Sequence, residues 1–174
     1  MSSAPRRDRD EQGRARNSRP RDAAGRPLPH DADGVERVPE DLVLTPEETV
    51  TEAQRLLDGG LPFQAHEVLE GAWKASEAPT RELWRAMAQL AVGLTHAQRS
   101  NARGAVSLLR RGAEGIEEWQ TTAAAPVPAG LDLAGLRRHA VAVADQVERD
   151  SVTAVSPADL APTLRGHPER PHHP

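Results

Sequence analysis

Residues 80–98 carry apolar side chains almost all the way round a helical wheel: Leu83, Trp84, Met87, Ala88, Leu90, Ala91 and Leu94 make one broad face, and Val92 lies at its margin. Such a helix cannot lie at a surface. Neighbours must cover it on several sides, so the rest of the chain has to pack around this segment. Aromatic residues are scarce, with one Phe, three Trp and no Tyr. The core is therefore Leu, Val and Ala, which suits closely packed helices, whereas strands would want more β-branched and aromatic side chains. The expected fold is all-α, a compact bundle of about five helices.

The other helices have their own start and stop signals. Thr45-Pro46-Glu47-Glu48 combines a capping threonine, a proline suited to the first helical position and a glutamate that completes a capping box. A first helix should begin there, bury Val50, Ala53, Leu56 and Leu57, and stop at Gly59-Gly60. The second runs from Pro62 to near Ser76, and the third from Pro79-Thr80 to near Arg99-Ser100. Asn101 can cap a fourth, with Ala105, Leu108, Leu109, Gly112, Ile116 and Trp119 inward. After Pro126, Pro128 and Gly130 break the chain, Asp132 can cap a fifth, with Leu133, Leu136, Ala140, Val143 and Val147 inward.

Outside this helical domain, placed at residues 41–150, composition changes. Residues 1–40 are rich in Arg, Asp, Pro and Gly, and 151–174 in Pro and His, so both are expected to be disordered tails with too little apolar surface to offset the entropy of ordering. Residues 1–30 hold eight Arg against four acids, while 45–150 hold eleven basic against fifteen acidic side chains. A folded domain of negative sign repels phosphate backbones, so any nucleic-acid contact would have to come through residues 1–30. The absence of Cys excludes disulfides, thiolate metal sites and a Cys nucleophile. No apolar run reaches the ~20 residues of a membrane span, and the N-terminus lacks an apolar signal core, so no membrane contact and a cytoplasmic location are expected.

The stretch from Phe63 to Ala105 offers the side chains that could assemble a site. On the second helix His66 and Glu70, four apart, stand one above the other at the edge of the apolar sector beside Trp73, with Glu67 pointing further toward solvent. On the third, Gln89, Gly93 and His96 form a line, and the glycine lets a neighbouring helix approach closely. Polar residues on so apolar a helix need partners. In one arrangement His66 and His96 hydrogen-bond Glu70 and Gln89, fixing the register of the second and third helices. In another, His66-Glu67-x-x-Glu70 is half of the helical H-E-x-x-H zinc signature: His66, Glu70 and His96 hold a divalent metal, and Glu67 activates water as general base. Capping accounts for Asn101, close packing for Gly104, and core packing for Trp73, Trp84 and Trp119.

His66, Glu67, Glu70 and Trp73, then Gln89, Leu90, Ala91 and His96, then Asn101, Gly104 and Ala105 spell H-E-x-x-E-x-x-W … Q-L-A … H … N-x-x-G-A. In this pattern the chain resembles the bacterial and archaeal domain-of-unknown-function family three hundred and nine, from about Thr45 to Trp119. The resemblance implies a compact all-helical domain and supplies no reaction. Ser100 departs from it, because a glycine often precedes this asparagine, and the departure points to a tighter or differently capped turn. The first functional expectation is a ligand- or protein-binding, or scaffold, module with a His/Glu/Gln pocket between the second and third helices, receiving a small ligand or a partner helix. The alternative is a metal-dependent hydrolase built as above, and the third is nucleic-acid contact through the Arg-rich arm.

Overall fold

Thr45 opens the first helix in the computed structural model of the chain, which describes residues 19–166. Its hydroxyl accepts from Glu48 N at 3.2 Å, and its own N–H donates to the Glu48 carboxylate at 2.8 Å. Caps of this kind are worth about 1 kcal/mol. Helix α1 then runs Pro46–Asp58. It stops because Gly60 turns left-handed at φ 71°. Gly60 N then donates to Leu57 O at 3.0 Å and Leu61 N to Leu56 O at 2.9 Å, closing the two bonds of a glycine C-cap.

Helices α2 (Pro62–Ala75), α3 (Thr80–Gln98), α4 (Ala102–Thr122) and α5 (Leu133–Asp150) follow. Asn101 and Asp132 cap the last two by accepting from Gly104 N at 3.0 Å and Gly135 N at 2.8 Å. Among the described residues there are five α-helices and no strand, as the apolar periodicity requires. No helix among them is long and apolar enough to cross a membrane.

The nearly all-round apolar α3 packs against both α2 and α4, and Leu83, Trp84, Met87, Ala91 and Leu94 are all buried along it. Its seam with α4 is close because each helix offers glycine where the other offers bulk. A Cβ on Gly93 would lie 2.9 Å from Leu109 N, and one on Gly112 would lie 2.9 Å from Ala86 O.

The turn from α3 to α4 contains the Ser100 departure noted above. Ser100 N donates to Ala97 O at 3.0 Å and Asn101 N to His96 O at 2.8 Å. That is the same cap as at Gly60, but with serine in the left-handed position at φ 59°. An L side chain there costs about 1–2 kcal/mol, which glycine avoids while giving back part through unfolded-state entropy. Ser100→Gly should therefore raise stability by about 1 kcal/mol in urea denaturation; an unchanged or lowered midpoint would count against a strained turn.

The five α-helices span residues 46–150. Of the two expected tails, residues 1–18 and 167–174 lie outside the described residues, and with them much of the Arg-rich arm. The parts that are described, 19–40 and 151–166, contain no α-helix and lie along the bundle. Leu160 and Leu164 are buried. Arg165 donates to Glu47 O at 2.8 Å, Thr51 Oγ1 at 3.0 Å and Ala129 O at 3.1 Å, while Leu164 N donates to Gln54 Oε1 at 2.7 Å. These bonds tie the C-terminal segment to α1 and to the turn at Pro128–Gly130.

Candidate functional site

On α2, His66 Nε2 lies 3.7 Å from Glu70 Oε2, so the expected stacking one turn apart is present. Glu70 is also engaged by Lys74, at 2.9 Å from its other oxygen. Burial pushes the His66 imidazole below its ordinary value of 6.5, and Glu70 opposes that only in part. The ring is neutral at physiological pH, and its buried Nδ1 has no aligned hydrogen-bond partner. Trp73, one turn beyond, is half-buried with the guanidinium groups of Arg81 and Arg85 6.0 and 5.9 Å from its ring.

The line Gln89, Gly93, His96 exists, but it faces α4. Gly93 receives Leu109 of α4, and Gln89 borders a hollow with Arg111, Glu114 and Gly115 of the same helix. Asn101 Nδ2 donates to His96 Nδ1 at 2.9 Å, and Asn101 Oδ1 caps α4 through Gly104 N. A Cβ on Gly104 would lie 2.8 Å from the His96 ring. His96, Asn101 and Gly104 therefore form one device that fits the α3–α4 turn together. Burial, with Arg99 nearby, holds the His96 imidazole below 6.5, in the neutral state that can accept from Asn101.

His66, Glu70 and His96 are consequently not gathered into one ligand set. Among the described residues no three or more His, Asp or Glu side chains are placed to hold a metal ion. The pocket expected between α2 and α3 divides into the His66–Glu70 pair and the His96–Asn101 cluster.

A recess forms instead on the other side of α2, where residues 19–40 cross it. The Phe63 ring is clasped by two guanidinium groups, Arg21 at 4.9 Å and Arg99 at 5.6 Å from its centroid. Gly25, at φ 73°, lies against the same ring, leaving no room for a side chain. Arg21 Nη1 donates to Gly25 O at 2.5 Å and Arg99 Nε to Ala24 O at 2.6 Å. Val35 N closes back on Arg21 O at 2.8 Å, which brings residues 35–40 over α2. The hollow beneath, about 360 Å³, is lined by Val35–Glu40, Arg21, Phe63, Gln64 and Glu67.

Two side chains give this hollow its chemistry. Gln64 is only 2% exposed, and its Oε1 is buried without a hydrogen-bond partner. Glu67, expected to face solvent, is half-buried, because the side of α2 that a wheel leaves open is the side these residues cover. Burial raises the Glu67 carboxyl above its ordinary 4.5, against the pull of Arg21 and Arg37. Sequence reasoning passed over Phe63 and Gln64. The available signal was a glutamine four residues before Val68, within the apolar stripe of α2.

With this geometry in place, residues 50–108 match the model of a family described as Domain of unknown function (DUF309). Over those residues the resemblance drawn from the H-E-x-x-E, Q-L-A and N-x-x-G-A motifs is borne out. No curated protein and no solved structure matches the chain.

Proposed function

We propose that this chain, with its central segment matched to that family, is a small-ligand-binding helical module whose site is the recess between α2 and residues 35–40. The observation that carries the reading is the buried, unpartnered Gln64 Oε1. A polar atom removed from water without a partner costs about 1–3 kcal/mol, and Gln64 is one of the residues that line the hollow, so a ligand there that turns this amide toward itself supplies the missing bond. The size agrees, since small-molecule pockets span roughly 300–1,000 Å³. A partner helix, about 10 Å across, is too wide for a hollow of about 360 Å³ roofed by the chain itself.

Amide correlation spectra of the full chain, titrated with panels of small amines, carboxylates, nucleotides and sugars, test this. Members of at least one panel should shift Phe63, Gln64 and Glu67 saturably at millimolar concentration. If every panel leaves these amides unmoved, the recess is not a ligand site.

A further inference from the structure

We propose that the recess takes a small organic cation, an ammonium or guanidinium group hydrogen-bonded by Gln64 Oε1 and the Glu67 carboxylate. The inference rests on the recess being a ligand site and adds the class of ligand.

Among the side chains that line the recess, carboxylates outnumber guanidinium groups. Gln64 Oε1 is unpartnered, and no hydrogen bond or ion pair within 4 Å joins Glu36, Glu40 or Glu67 to another described residue. The two cations in the wall act on Glu67 through their charge, without a bond to it. Arg21 lies over Phe63 and donates to Gly25 O, and Arg37 donates to Arg19 O at 2.6 Å. Three carboxylates against these two guanidinium groups leave the hollow net negative. An incoming anion would add acceptors where acceptors are already in excess, whereas an ammonium brings three donors and a guanidinium five. Arg21 also shows that a guanidinium fits this wall, over the Phe63 ring at 4.9 Å from its centroid. Hydrogen bonds from a cation to a carboxylate are about twice as strong as neutral ones, and Glu67 sits where water is partly excluded.

The test uses the full chain in physiological salt with putrescine and agmatine as probes and acetate as the contrasting anion, followed by amide shifts and calorimetry. Putrescine or agmatine should bind saturably, moving Phe63–Glu67 and Val35–Glu40, and Glu67→Gln should weaken binding by about tenfold, the loss of one charge-assisted bond. Gln64→Leu should weaken it as well. Should that variant fold poorly, Glu67→Gln alone decides, because a half-buried carboxylate exchanged for its amide keeps its shape. Binding unaltered by Glu67→Gln, or shifts spread over acidic α4 residues such as Glu117 and Glu118, would overturn the proposal. Saturable binding of acetate or another panel compound with no response to either cation would overturn the cation assignment and leave the recess a ligand site. Silence from every probe and panel would remove both.

Discussion

Gly93→Val is expected to lower the unfolding free energy by about 3 kcal/mol, a large part of the total for a domain of this size. A Cβ at this position would stand 2.8 Å from Leu109 Cγ and 2.9 Å from Leu109 N. The side-chain atom could yield by changing rotamer. The backbone nitrogen cannot move unless α4 moves with it, and α4 is fixed on its other side by α5, where Arg110 of α4 bridges Asp145 and Glu148. In a solvent-facing helix the loss of glycine would have the opposite sign, because glycine is about 1 kcal/mol poorer than alanine in a helix interior. Gly71 supplies that contrast: it is exposed in α2, and an added Cβ meets nothing within 4 Å. Gly71→Ala should thus gain up to about 1 kcal/mol. Urea midpoints at unchanged m-value would separate the two substitutions. Equal effects at both positions would mean that α3 and α4 are not in the close contact described.

The same comparison shows what could be read from the sequence. Helix positions were legible because the determinants are local: Thr45 and Glu48 cap each other, Gly60 permits the left-handed turn, and Asn101 and Asp132 each reach an amide three residues on. Arg110 has Glu114 one turn on along its own helix, but its ion pairs go to α5, since periodicity identifies a face without identifying the helix opposite it. The site suffered from this limit more than the fold did. Gln89, Gly93 and His96 do share a line, and a glycine in it does admit a neighbour. Which neighbour depends on complementary shape at Leu109 and Gly104, which no wheel of α3 contains. Much of the shared motif is thereby explained as architecture, with His96, Asn101 and Gly104 building one turn. Glu67 was misplaced for a related reason. Residues 19–40 have the composition of a tail, and their hold on α2 uses guanidinium groups and backbone carbonyls in place of apolar area. A count of hydrophobic residues does not register that kind of contact.

Phe63→Ala should release that hold, at a cost of about 2–3 kcal/mol. Fully buried phenylalanines lose about 3–5 kcal/mol on truncation, and this ring is only half-buried, which lowers the figure. Two guanidinium contacts, each about 0.5–1 kcal/mol, are lost with it. The loss should also be local. Gly25 N, Leu28 N and Val35 N donate within residues 20–35, to Asp22 O, Pro20 O and Arg21 O, at 2.9, 2.7 and 2.8 Å. With the ring gone, the Arg21 and Arg99 side chains have no surface to clasp, and these three amides should exchange with solvent faster than in the parent chain by more than the global loss of stability explains. Amides of α3 around Leu90 should follow only the global loss. Phe63→Leu, which keeps apolar volume without an aromatic face, should fall between the two and so separate packing from cation–π attraction. If exchange at Gly25 and Val35 is unchanged in Phe63→Ala, residues 19–40 are held by something other than this clasp. If it rises as expected, the roof of the recess depends on a ring that also forms part of its wall, so covering the site and shaping it share one side chain.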